Sequence, residues 1–148
     1  MKLCIQRVSS AFVKVNGESV SEIDKGLLIL FGAEEGDRDE YIDYLARKAC
    51  GLRIFERDGK MNDSVKDIDG EVIVVSQFTL AGKADKGLRP DFTNALEPVE
   101  AERMYELFLD RCRAELGMNK VGSGVFREYM EVGLVNDGPV TIILEKKE

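Results

Sequence analysis

Glu71-Val72-Ile73-Val74-Val75 runs straight into Ser76-Gln77-Phe78-Thr79-Leu80. The first half is apolar and β-branched, the pattern of a buried strand, and the second half carries a polar insert where a plain core strand has none. A second such run, Val132-Gly133-Leu134-Val135, is broken by Asn136-Asp137-Gly138-Pro139 and resumes as Val140-Thr141-Ile142-Ile143-Leu144. Proline donates no ladder hydrogen bond and is confined to edges, bulges and strand starts. A Gly-Pro step inside such a run points to backbone shaped for a purpose.

Outward from these runs, Leu3 and Ile5, and then Ala11, Val13 and Val15, alternate with polar residues and read as two strands. Asn16-Gly17 is a hairpin turn signal, with a third strand from about Glu18 to Ile23. Lys25-Gly26 leads into Leu27-Leu28-Ile29-Leu30-Phe31, a central buried strand. Asp37 with Glu40 makes a capping-box-like helix start, with Tyr41, Ile42, Leu45, Ala49 and Leu52 on one face and an end near Gly51. A short strand, Leu52 to Phe55, leads to the turn Asp58-Gly59. Residues 81–94 read as loop. Pro98 suits the first position of a second helix, whose stripe is Ala101, Met104, Tyr105, Phe108, Cys112 and Leu116, with Gly117 closing it. Gly122-Ser123-Gly124 reads as a flexible turn. Strands and helices do not alternate regularly, which disfavours a doubly wound parallel fold. The expectation is a single α+β domain over residues 1–148, a curved, largely antiparallel sheet or barrel packed by two helices.

Composition narrows the chemistry. At 148 residues and 44% hydrophobic, the chain suits one domain with a sizeable core. No apolar run nears the ~20 residues of a membrane span, and the N-terminus lacks a signal peptide's apolar region. A soluble, cytoplasmic protein with no membrane association is expected. Cys4, Cys50 and Cys112 are far apart and read as core filler. There is no CxxC pair and no histidine, so the usual zinc sites are disfavoured, as are Ser-His and Cys-His pairs. Asp67-Ile68-Asp69-Gly70 has glycine at the wrong loop position for calcium and reads as a turn. No metal and no cofactor is called for. An enzyme here would work with hydroxyls, amides, carboxylates, lysine or backbone groups. The net charge of −7 argues against a broad nucleic-acid binder, though Lys83, Lys86 and Arg89 form a local basic cluster.

Ser76-Gln77-Phe78-Thr79-Leu80 and Asn136-Asp137-Gly138-Pro139-Val140-Thr141 together resemble the two signature motifs of the D-aminoacyl-tRNA deacylases, also called D-Tyr-tRNA deacylases. Gln6-Arg7-Val8, Arg53-Ile54-Phe55, Gly59-Lys60-Met61-Asn62 and the run from Lys86-Gly87 through Arg89-Pro90 to Phe92 agree in order along the whole chain. The resemblance implies a homodimeric hydrolase that cleaves the ester joining a D-amino acid to the 3′ end of tRNA. It implies a cis Gly138-Pro139 peptide inserted into the partner's active site. There, rigid carbonyls would tolerate a hydrogen on the substrate Cα and clash with a side chain, so L-amino acids would be rejected while D-amino acids and glycine fit.

The same resemblance implies the remaining roles. Ser76, Gln77, Phe78 and Thr79 form the catalytic wall, with backbone N–H groups around Phe78 and Thr79 as oxyanion donors. Thr79 as nucleophile lacks an evident base; the expected role is to orient substrate while the tRNA's own 2′-hydroxyl helps activate water. Asn136, Gly138, Pro139, Phe126 and Met130 are expected to line the substrate pocket, and Lys83, Lys86 and Arg89 to contact the acceptor end of tRNA. Two departures concern the rim: Arg127-Glu128 follows Phe126 where the family commonly has small residues, and Asp91 stands where serine is common. The rivals are a noncatalytic RNA- or small-ligand-binding dimer, separated by turnover at substoichiometric protein, and a hydrolase chiefly for mischarged glycine, separated by relative rates on the two esters.

Overall fold

A computed structural model describes residues 1–148 as eight strands and two helices. The first 15 residues, expected as two strands, form one: β1 (Lys2–Val15) is 14 residues long and bends between its halves. Its first half pairs antiparallel with β3 (Gly26–Gly32), matching Leu3 to Phe31 and Arg7 to Leu27. Its second half leaves β3 and pairs with β2 (Glu18–Ile23) across Asn16-Gly17, both at positive φ (51° and 79°) as a tight primed turn requires. β6 (Glu71–Ser76) lies parallel to β3, and β7 (Val121–Ser123) parallel to β6. The outer edge of β7 then meets β2: the Ser21 hydroxyl donates to the Ser123 carbonyl (2.6 Å) and accepts from its N–H (3.0 Å). The sheet thus closes nearly into a barrel. Gly122 is part of that seam, not a flexible turn; a Cβ there would sit 3.0 Å from Ser21.

The apolar run of β6 has no alternation because both its faces are buried. Val72 and Val74 face a core of 25 buried residues under the helices, while Ile73 and Val75 face a second core inside the barrel with Val8, Ala11, Val13, Ile23 and Leu28. The helices α1 (Asp39–Gly51) and α2 (Pro98–Leu116) cover the first face. α2 starts as its sequence suggests, with Pro98 in the first turn and the Glu97 carboxylate accepting from the N–H groups of Val99 and Glu100. α1 does not use Asp37 as its cap. That carboxylate accepts instead from the Met1 ammonium (2.6 Å) and the Glu34 N–H (2.7 Å), the ammonium being the stronger, charged donor. After α1 the expected strand begins only at Phe55: β4 (Phe55–Arg57) and β5 (Lys60–Asp63) make a small separate hairpin around Asp58-Gly59. In the following turn the Asp67 carboxylate accepts from the Ser64 N–H at 2.9 Å. No helix is long and apolar enough to cross a membrane.

β8 (Glu131–Glu145) runs the length of β1 on the side away from β2 and β3, an edge strand through which the second polar insert passes. Gln6 pairs with Thr141 and Val8 with Asn136, so the four residues Asp137 to Val140 stand opposite the single residue Arg7. This is a large bulge, and bulges re-aim the chain at such points.

Candidate functional site

The first insert begins where β6 ends. Ser76 pairs with Phe31, and the Gln77 N–H donates to the Phe31 carbonyl at 2.7 Å before the chain leaves the sheet. Phe78–Ala81 forms a 3-10 turn, with Leu80 N–H donating to Gln77 and Gly82 N–H to Thr79. The first N–H groups of such a turn, here Phe78 and Thr79, have no acceptor within it. The Gln77 side-chain amide donates to the Thr79 hydroxyl oxygen at 2.5 Å. No base accepts that hydroxyl's proton. Phe78 is 57% exposed and packs edge-on against Phe92, ring centres 5.4 Å apart. Gly82 permits this packing, since a Cβ there would lie 2.7 Å from the Phe92 ring.

A backbone pair between Lys83 and Asp91 (2.8 Å in both directions) pinches off residues 84–90 as a projecting, fully exposed loop. Lys83, Lys86 and Arg89 therefore share one loop and its base, and none is in an ion pair. The Asp91 carboxylate accepts from the Thr93 N–H at 2.9 Å, which holds its pKa below the usual carboxylate range. Phe126 and Met130 reach the same end of β6. The Gly124 N–H donates to the Val74 carbonyl (3.2 Å) and the Tyr105 hydroxyl (3.1 Å), the Phe126 ring lies 6.2 Å from that of Tyr105, and the Met130 sulfur accepts from the Val125 N–H. The Tyr105 hydroxyl donates to the same Val74 carbonyl at 2.7 Å, and burial pushes its pKa up to about 12. Arg127 sits between them at φ +67°, a backbone state that favours glycine.

The second insert is held from beneath. The Gly138-Pro139 peptide is cis, with Gly138 at φ +140°. Arg7, only 6% exposed, donates from Nε to the Asp137 carbonyl (2.7 Å) and from Nη1 to the Ile54 carbonyl (2.5 Å). Arg7 is the residue that sequence reasoning left without a role. Its signal was present: it continues the face of Leu3 and Ile5, where alternation asks for an apolar side chain.

The structure does not bring the two inserts together within the chain. Ser76 lies level with Phe31, Leu3 and Leu144, whereas Arg7 lies level with Leu27 and Val72, four residues back along β6. With three strand steps from β8 to β6 at ~4.8 Å and four residues at ~3.3 Å, the inserts are ~19 Å apart over the sheet. The two main cavities, about 590 and 490 Å³, are lined by neither Ser76–Thr79 nor Asn136–Pro139; Lys83 borders the smaller one.

Comparison with known proteins returns one family model, described as D-Tyr-tRNA(Tyr) deacylase, matching residues 4–145. A protein of Natranaerobius thermophilus named D-aminoacyl-tRNA deacylase is 48% identical over 149 aligned positions, covering 100% of this chain and 99% of its own. Another of that name, from Geotalea uraniireducens, is 53% identical over 146 positions, covering 98% and 93%. Among solved structures, one titled c-Myc DNA Unwinding Element Binding Protein superposes with a TM-score of 0.95 at 40% identity over the whole of both chains. A second, titled as a probable eukaryotic D-amino acid tRNA deacylase, gives 0.82 at 17% identity over 97% of each chain, a likeness of fold.

Proposed function

From the premise that the chain belongs to the D-Tyr-tRNA(Tyr) deacylase family, hydrolases of the D-aminoacyl-tRNA ester, we propose that its two inserts form one active site across a homodimer. The carrying observation is their separation of ~19 Å within a protomer. Residues that must flank one ester carbonyl and are that far apart need a second copy to complete the site. In this reading Gly138 and Pro139, with Asn136 beside them, enter the partner's pocket, and the 1–148 unit is active only as a pair.

Ser76, Gln77, Phe78 and Thr79 supply the receiving wall. Water attacks the ester carbonyl carbon, the developing oxyanion is met by the N–H groups of Phe78 and Thr79, and the bond to the 3′ oxygen breaks. The ribose 2′-hydroxyl helps activate the water, and the 3′ oxygen leaves with a proton, giving free tRNA and the amino acid. Thr79 orients rather than attacks, because Gln77 donates to its oxygen and nothing draws off its proton. Phe126 and Met130 shape the pocket beside the end of β6, while Lys83, Lys86 and Arg89 hold phosphates of the acceptor end. The carbonyls of the insert leave room for hydrogen on the substrate Cα and none for a side chain. This filter spares L-aminoacyl-tRNA, so it protects homochirality in translation, and it also clears glycine mischarged onto tRNA. Work on charged tRNA fits a cytoplasmic location, where translation uses it.

The test is hydrolysis of D-tyrosyl-, L-tyrosyl- and glycyl-tRNA side by side with catalytic amounts of protein. Loss of the D and glycyl esters with the L ester intact is expected; equal loss of D and L esters refutes the filter. For the shared site, Phe78→Pro and Gly138→Ala subunits, each first measured alone so that its residual activity is subtracted, are mixed and exchanged. Half of the dimers then carry one intact site, restoring about a quarter of wild-type activity if the insert acts across the two-fold axis. No recovery in verified mixed dimers sinks the shared site.

A further inference from the structure

The larger groove, about 590 Å³, lies at the C-terminal end of α1, and its walls include Tyr44, Arg47, Lys48 and Arg53. It is strongly basic in a chain of net charge −7. Tyr44 is 41% exposed and carries two ammonium groups over its ring: Lys48 at 5.7 Å and Lys146, just past β8, at 5.2 Å from the centroid. Three acidic residues of α1 and β8 are already paired. Asp43 binds Arg111, Asp39 binds Arg103, and Glu145 binds Lys147. Arg47, Lys48, Arg53 and Lys146 are in no ion pair. Arg53 is nonetheless held in place, donating to the Asn62 carbonyl (2.7 Å) and side-chain oxygen (3.3 Å), so its orientation is set, with the Asp67 carboxylate near it but in no ion pair with it. A helix C-terminus attracts cations by itself. That accounts for Lys48, but not for Lys146 and Arg53, which come from outside the helix.

The groove is tied to the second insert. Arg53 precedes Ile54, whose carbonyl binds the same Arg7 guanidinium that holds the Asp137 carbonyl. One end of the groove is therefore within a side chain's length of the root of Gly138-Pro139.

We propose that this groove binds the phosphate backbone of the tRNA acceptor stem, and that it serves the site into which its own subunit inserts Gly138-Pro139, not the site built on its own Ser76–Thr79. The proposal rests on the deacylase reading and extends it. A single tRNA then lies across both subunits: Lys86 and Arg89 of the receiving subunit hold one side of the acceptor end, and the α1 groove of the inserting subunit holds the duplex beyond it. Paired RNA offers side chains its backbone rather than its deep major groove, and two ammonium groups over one exposed ring, with Arg47 and Arg53 lining the same groove, suit that sequence-independent contact.

The experiment uses the intact dimer with Arg47→Gln/Lys48→Gln, side chains that touch neither insert. Three readouts are compared: hydrolysis of D-tyrosyl-tRNA, hydrolysis of D-tyrosyl-adenosine, and salt-dependent binding of an uncharged acceptor minihelix. Expected are at least a tenfold loss of kcat/KM on the tRNA, no change on the adenosine ester, and a salt slope for minihelix binding shallower by ~1.4 to 1.8, as two lost phosphate contacts require. In mixed dimers with one working site, the double substitution is expected to act on the Phe78→Pro subunit, which supplies the insert, and to be silent on the Gly138→Ala subunit. Unchanged minihelix binding and slope overturn the proposal. Equal loss on both esters, an effect confined to the Gly138→Ala subunit, or weaker binding of heparin with the minihelix unaffected does the same. If wild-type protein hydrolyses neither ester while the minihelix still loses affinity in the variant, the hydrolase reading fails and the groove stands.

Discussion

Arg7 lies beneath Asp137 at the one place in the β1–β8 ladder where a single residue faces four, and its Nε donates to the Asp137 carbonyl at 2.7 Å. A buried guanidinium spanning two backbone carbonyls from separate parts of the chain fixes the direction in which Gly138-Pro139 projects. Lysine has one compact ammonium and cannot reproduce the fork. Arg7→Lys is expected to lower stability by about 1 to 3 kcal/mol, read by urea unfolding, and to reduce discrimination between D- and L-tyrosyl-tRNA. Retained discrimination in the folded variant would show that the insert is aimed by something else.

Gly138 stands at φ +140°, and a Cβ there would lie 2.6 Å from Nη2 of Arg7. Gly138→Ala must shift either the insert or the guanidinium. Backbone strain of this kind costs about 1 to 3 kcal/mol; most of it is expected in activity, because the strain falls on the bulged insert, where β8 leaves its ladder with β1. Measured rates on D-tyrosyl-tRNA near wild type, with the fold intact, would contradict this.

Phe78→Pro separates backbone from side chain. Gln77 (φ −141°, ψ 83°) lies outside the α region that a following proline disfavours, so a modest rise in ψ accommodates it, and proline suits the first position of a helical turn. The substitution deletes one N–H with little demand on the chain, and a lost oxyanion donor costs about 10² to 10³ in kcat. Phe78→Ala keeps the N–H and loses only the contact with Phe92, so it is expected to retain far more activity. Equal kcat values for the two variants would remove Phe78 N–H from the mechanism.

Thr79→Ala tests the nucleophile. If the Thr79 hydroxyl, which accepts from Gln77, orients rather than attacks as proposed, the variant is expected to keep deacylating within roughly a hundredfold of wild type, the scale of one positioning contact. Complete loss in a folded, tRNA-binding variant would make Thr79 the attacking group.

Tyr105 governs an alkaline limit. Its folded pKa of about 12 stands above the ~10 of an exposed tyrosine. Its contribution to stability is therefore whole below pH ~10 and is lost as pH rises towards about 12. Tyr105→Phe is expected to cost about 1 kcal/mol at neutral pH and to flatten the fall in stability between those two values, followed by chemical denaturation across the range. An unchanged pH profile would mean that another group sets the limit.

Much of this was legible along the chain. The runs at Leu27–Phe31 and Glu71–Val75 are continuous because both faces of those strands are buried, and helix stripes, the Asn16-Gly17 turn and the helix start at Pro98 follow from local rules acting over a few residues. Local rules also misled. Asp37 looks like a cap because its spacing to Glu40 fits, but a distant ammonium competes for the same carboxylate. Gly122 looks like a turn because glycine is permissive, but the barrel seam needs its missing Cβ against Ser21.

By itself the sequence determined the element types, the two inserts and the class of chemistry left without histidine, since each depends on residue identity and short spacing. Only the tertiary structure decided that β1 is one bent strand shared by several partners, that a buried Arg7 supports Gly138-Pro139, and that the inserts lie far apart on the chain. Those facts depend on strand order and register, which are set by burying two cores at once and which no short window of residues contains.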